Sequence, residues 1–165
     1  MKRLLVASTF VFALAGANTA HAEICAKDVI CASNPQGIVE AIQAMGYKAT
    51  LDKDSSGDPK ISSAASGYGY DIYFYDCNNH LNCSSIQFYV SFSKDSSNSE
   101  KLANEWNLKK RMGKMAFDPS DGSVSLQYDL STSGGVNQAN FKDVVGWWDS
   151  TLGALHQFFA EHPAK

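Results

Sequence analysis

Apolar positions along the chain fall into stretches of period two and stretches of helical period, and the switches between them mark the elements. The longest period-two stretches are Tyr68-Gly69-Tyr70-Asp71-Ile72-Tyr73-Phe74-Tyr75 and Ser85-Ile86-Gln87-Phe88-Tyr89-Val90-Ser91-Phe92. Both are rich in aromatic and β-branched residues, the composition of half-buried strands. Cys77 and Cys83 lie between them and enclose five residues. If these cysteines stand opposite each other in an antiparallel hairpin, Phe74 faces Ile86, Ile72 faces Phe88, Tyr70 faces Val90 and Tyr68 faces Phe92. Every such pair is apolar and falls on one side. Tyr73, Tyr75, Gln87 and Tyr89 fall on the other side, with the cysteines. A slip of one residue would exchange the two faces, so the bridge and the hydrophobic pattern specify the same register. The expected disulfide is Cys77–Cys83, closing the loop Asn78 to Asn82. Four cysteines allow three connectivities, and Cys25–Cys31 follows by elimination.

Helical spacing appears three times. Asn34-Pro35 supplies a cap and a first-turn proline before Ile38, Ile42 and Met45, and Gly46 ends that helix. Ser97 with Glu100 reads as a capping box for a second helix with Leu102, Ala103 and Trp106 inward. Asn137 caps a long last helix with Phe141, Val144, Val145, Trp148, Leu152, Leu155 and Phe159 on one stripe. Trp147 cannot share that stripe with Trp148 and is expected to be exposed or in an interface. Between the helices, Tyr47, Ala49 and Leu51 alternate as a strand, and a polar turn runs from Asp52 to Pro59. Ile61 marks a short further strand. Met115 and Phe117 pair with Val124, Leu126, Tyr128 and Leu130 across the turn Pro119 to Gly122. Strands joined by short turns are antiparallel, and helices of this length cover one face. The predicted class is α+β, an antiparallel sheet with three helices.

The first 22 residues change the picture of where this domain works. Lys2 and Arg3 precede the apolar run Leu4 to Ala15, and Ala20-His21-Ala22 forms a small-x-small cleavage pattern. The run is too short to span a bilayer, which needs roughly 20 apolar residues. Cleavage after Ala22 is expected, leaving residues 23–165 as a single domain in the periplasm or secreted medium. Four cysteines in that remainder suit an oxidising compartment. Loss of Lys2 and Arg3 leaves 12 basic against 17 acidic residues. The only basic cluster is Lys109-Lys110-Arg111, so nucleic acid is a poor partner. No second apolar run reaches membrane length.

Cys77 and Cys83-Ser84-Ser85-Ile86-Gln87-Phe88, then Asn104-Glu105-Trp106-Asn107, then Gly134-Gly135-Val136 before a Trp-bearing helix resemble the YbjN family. The resemblance spans residues 34–159, nearly all of the expected domain. It implies a domain similar to the type III secretion chaperones, in the order helix-βββ-helix-ββ-helix. The strand at Ile61 would be one more than that order holds. The family is described as bacterial sensory transduction regulators and brings no established catalytic residues. Its best-known member resembles a cytoplasmic regulator, from which an export segment departs.

Candidate chemistry is sparse. Asp52 to Asp58 matches an EF-hand loop at positions one, three and six, but Ser63 stands where a bidentate Glu is required, so a plain hairpin turn is favoured. Zinc at Cys77, Cys83 and His80 is disfavoured by the five-residue spacing and by the oxidising compartment. Neither cysteine pair has the C-x-x-C spacing of redox catalysts. No nucleophile motif accompanies the Ser, His and Asp residues. Asn104 to Asn107 reads as a core tryptophan flanked by amides that bind nearby backbone. The chain therefore calls for no catalytic residues, no cofactor and no metal. The expected role is a non-enzymatic protein-binding, chaperone-like or regulatory one, with Tyr73, Tyr75, Gln87, Tyr89 and Trp147 as candidate contact residues. The expected partner is another protein, a second copy of this chain included. The alternatives are a small periplasmic hydrolase or envelope-modifying enzyme, and an inhibitor of a secreted enzyme acting through the loop Asn78 to Asn82.

Overall fold

The computed structural model describes Cys25, Ala26 and residues 28–164. The expected export segment and its cleavage site lie outside the described residues. In chain order the elements are β1 (Val29–Ile30), α1 (Pro35–Ala44), β2 (Ala49–Lys53), β3 (Pro59–Ala65), β4 (Tyr68–Tyr75) and β5 (Ser85–Phe92). They continue with α2 (Glu100–Lys109), β6 (Lys114–Asp118), β7 (Ser123–Ser131), β8 (Val136–Asn137) and α3 (Gln138–Glu161). Six strands form one antiparallel sheet in the order β2-β3-β4-β5-β7-β6, and β1 pairs with β8 in a small ribbon.

Local signals account for most of these boundaries. Asn34 accepts a hydrogen bond from the Gly37 amide at the start of α1, with Pro35 in the first turn. Asn137 does the same for the Asn140 amide at the start of α3. The cap of α2 is Ser99, whose hydroxyl accepts from the Leu102 amide. Ser97, expected in that role, instead closes a turn on Asp95 Oδ1. Two serines two residues apart compete for one helix start, and the one whose backbone is extended at the junction takes it.

The segment around Ile61 is a full strand rather than a short one. Pro59 begins it, where a missing amide is tolerated, and it pairs with β2 on one side and β4 on the other. Four strands of the six-stranded sheet therefore precede α2. The β4–β5 register is the one the hydrophobic pattern specifies: Ile72 opposite Phe88, Phe74 opposite Ile86, Tyr73 opposite Gln87.

All three helices share one core with the inner face of the sheet. It gathers Ile38 and Ile42 of α1, Leu102 and Trp106 of α2 and the Phe141-to-Phe158 stripe of α3 around Ile72, Phe74, Ile86, Phe88 and Leu126. Each fully buried Ile, Leu or Phe contributes roughly 1.5–3 kcal/mol over its exposed state. Phe158 rather than Phe159 completes the α3 stripe, while Phe159 packs edge-on against Phe92 at 5.0 Å.

Both expected disulfides are present, Cys25–Cys31 and Cys77–Cys83. The second corrects one expectation about facing. Cys83 is buried in the core and Cys77 packs against it, on the helix side and not with the tyrosines. Asp76 is the cause. Its φ of 55° breaks the strand alternation after Tyr75, so the next side chain turns inward.

Candidate partner-binding surface

The side of the sheet away from the helices carries the odd-numbered residues of β4 and β5. Tyr73, Gln87 and Tyr89 are half-buried there, and Tyr75 is 45% exposed. None belongs to the core that the helices cover. The rings of Tyr73 and Tyr89 meet edge-on at 5.6 Å. Gln87 donates to Asp129 Oδ1 on β7 at 2.7 Å and accepts from the Tyr75 hydroxyl at 3.4 Å. Asp71 accepts from the Ser62 hydroxyl at 2.6 Å and lies 3.6 Å from Lys60 Nζ. Partial burial, then the nearby Asp71, pushes the Tyr73 hydroxyl above its ordinary pKa; at Tyr75 burial and then Asp129 do the same. The patch thus combines three aromatic rings, neutral hydroxyls and a hydrogen-bonded amide. It offers apolar area with polar tips, the composition of protein contact surfaces. It holds no nucleophile paired with a base.

Trp147 stands elsewhere. It is 45% exposed on α3, while its neighbour Trp148 is buried against Phe88 and Tyr70. The structure brings Tyr73, Tyr75, Gln87 and Tyr89 together and leaves Trp147 on the helix side.

The loop Asn78 to Asn82 is rigidly framed. Asn78 and Leu81 exchange backbone hydrogen bonds of 2.7 and 3.0 Å, and Asn79, His80 and Asn82 take left-handed backbone, which Asn tolerates better than most residues. His80 Nδ1 lies 2.8 Å from Asp58 Oδ1 of the β2–β3 turn. Leu81, 65% exposed, stands at the tip. In the turn itself, Asp54 Oδ1 accepts from the Ser56 and Asp58 amides, an ordinary hairpin closure. Among the described residues no group of three His, Cys, Asp or Glu is placed to hold a metal ion.

One constellation was not visible in the sequence. At the β3–β4 turn, Ser66 donates to Asp149 Oδ1 at 2.6 Å, and Tyr47 donates to the other carboxylate oxygen at 2.8 Å. His156 completes the corner, stacked on Tyr68. Its Nε2 meets the backbone oxygen of Ser66 at 3.2 Å and not the hydroxyl. Ser66 and Gly67 both have positive φ, as a type I′ hairpin turn requires. The hydroxyl bond offsets the strain of a serine in that conformation and ties the hairpin to α3. A serine is here bound directly to a carboxylate with no histidine between them, so the corner lacks the relay of a hydrolase.

Asn107 binds nearby backbone, as expected of an amide beside Trp106. Its side-chain amide donates to the Met115 carbonyl at 3.0 Å and accepts from the Met115 amide at 2.8 Å, imitating a neighbouring strand at the β6 edge. Trp106 is fully buried and donates to the Gly113 carbonyl. The Asn104 to Asn107 stretch is thus structural in its Trp106 and Asn107.

Fold and surface together define a small α+β domain with one helix-covered sheet face, one tyrosine-lined face and no assembled catalytic group among the described residues. The chain belongs to the YbjN family, whose description is "Putative bacterial sensory transduction regulator", by a match over residues 34–161. Among solved structures it is similar to one described as "Crystal structure of YbjN, a putative transcription regulator from E. coli". That similarity has a TM-score of 0.61 at 13% identity and covers 81% of this chain and 95% of the other. At that identity it speaks for the fold. No curated protein sequence matches the chain.

Proposed function

We propose that this protein is exported and acts outside the cytoplasm as a non-enzymatic regulatory module that binds another protein through the tyrosine face of its sheet. The observation that carries the reading is the helix-free face with Tyr73, Tyr75 and Tyr89 gathered around Gln87. Export is supported by the tripartite N-terminus and by two disulfides, which persist in oxidising compartments. A nucleic-acid partner does not suit this face. Its two lysines, Lys60 on β3 and Lys114 on β6, are not clustered; Lys60 is already beside Asp71, and Asp129 adds a further negative charge.

Capture of partners from periplasmic extract by the purified domain tests the reading. Replacing Tyr73 and Tyr75 with Ser should abolish capture and leave the circular dichroism spectrum unchanged. Undiminished capture would remove the tyrosine face from the function. Intact mass of the secreted protein should show a start at Glu23 and the loss of four thiol hydrogens, and a retained Met1 would end the export reading.

A second reading, inhibition of a secreted enzyme, is favoured by the framed loop with Leu81 at its tip. Its test is titration of the domain against secreted proteases, where Leu81→Ala should abolish any inhibition.

A further inference from the structure

On the helix side of the molecule, Trp147, Ser150, Thr151 and Ala154 recur at helical spacing and form a second stripe on α3 beside the core stripe. This stripe faces the connection from α2 to β6, Lys110-Arg111-Met112, across an open groove of about 210 Å³. Trp147 and Met112 wall it, and Trp106 lies beneath with Lys110 Nζ 5.7 Å from its ring centroid. The groove has no carboxylate in its lining. Among the described residues neither Lys110 nor Arg111 has a carboxylate partner, whereas Lys109 is held by Glu105 at 2.6 Å. Two cations thus stand beside the most exposed tryptophan among the described residues.

From this we infer that the groove is a second binding site, and that its occupant is an acidic peptide segment of a partner protein with an apolar side chain among its carboxylates. The apolar side chain fits between Trp147 and Met112, and the carboxylates meet Lys110 and Arg111. Arg111 adds a planar fork that matches a carboxylate in two hydrogen bonds. Charge complementarity selects the acidic partner. The site lies across the sheet from the tyrosines and stands or falls independently of them.

The test is a fluorescence titration of the full disulfide-bonded domain with a tryptophan-free synthetic peptide carrying Glu and Asp around a central Leu-Phe pair. Trp147 emission should shift on binding. Affinity should fall with added salt, since exposed charge pairs are screened over about 8 Å at physiological ionic strength. Lys110→Gln with Arg111→Gln should weaken binding about tenfold or more, and Trp147→Ala by a similar factor. Tyr73→Ser with Tyr75→Ser should leave this affinity unchanged. Both cation changes are at exposed positions, so circular dichroism should report an intact fold. The inference is overturned if the acidic peptide does not bind at low salt, or binds the glutamine variant equally well. Equal binding of a Lys-rich peptide overturns it too, as does binding only to phosphatidylglycerol vesicles.

Discussion

The two faces of the hairpin β4–β5 are built from alternate residues of the same strands and have opposite fates. Ile72, Phe74, Ile86 and Phe88 are sealed under the helices, while Tyr73, Tyr75 and Tyr89 between them stay in partial contact with water. Ring size does not separate the two sets, because tyrosine is as large as phenylalanine. The hydroxyl does, since it needs a partner once it leaves water. Tyr70 shows what happens when the rule is broken. It lies on the inner face, its hydroxyl makes no well-formed hydrogen bond because the nearby Ser63 hydroxyl donates to the Lys48 carbonyl, and burial pushes its pKa from 10.0 to about 12. On the outer face the tyrosine hydroxyls stay within reach of water and of Gln87, while the inner face is sealed.

The sharpest way to break this comparison is truncation on each side of one strand. Phe88→Ala should destabilise the domain by about 3–5 kcal/mol in urea unfolding, against less than about 1 kcal/mol for Tyr89→Ala. Equal losses would mean that something covers the outer face.

The bridge at the hairpin's end comes next. Removing it as Cys77→Ala with Cys83→Ala should cost about 2 kcal/mol by chain entropy, with a further loss from the core space left at Cys83. The variant should still fold, because the apolar pairs hold the register on their own. Peptide mapping without reductant should recover Cys77 and Cys83 in one fragment, apart from Cys25–Cys31. A crossed pairing would undo the register.

Tyr70 gives a signature in alkali. Its folded pKa is raised, so below pH 10 both states keep the proton and stability from this group is constant. Between pH 10 and about 12 the unfolded chain releases the proton first, and stability should fall by about 1.4 kcal/mol per pH unit from this group. Tyr70→Phe should remove that fall. At neutral pH it should be neutral or stabilising by about 1 kcal/mol, because an unpaired hydroxyl leaves the core. The smallest effect belongs to Tyr73→Ser with Tyr75→Ser, for which a shift beyond about 1 kcal/mol in thermal unfolding would show that this face is structural.

Several features could be read directly from the residues because neighbours in sequence decide them. The period-two alternation and the cysteine spacing specified the β4–β5 register. Asn34 and Asn137 announced their helices through side chains that bind amides three residues away. The adjacent tryptophans had to diverge, because successive helical residues point about 100° apart, and Trp148 is buried while Trp147 is not.

Other features depend on how the elements come together. That the bridge faces the core depends on left-handed residues before each cysteine, Asn82 before Cys83 and Asp76 before Cys77, and the Asp76 side chain accepts from Ser84 and Ser85 across the hairpin. Ser66 finds Asp149 across 83 positions, and Asn107 seals a strand edge that exists only once β6 has returned beside it. The groove at Trp147 needs α3 and the α2–β6 connection side by side. Periodicity and caps act within a turn or a hairpin, so a short window of sequence contains them. Which face is covered, which edge is closed and which charges are left without partners are set when the helices dock on the sheet, and only the tertiary structure brings those groups together.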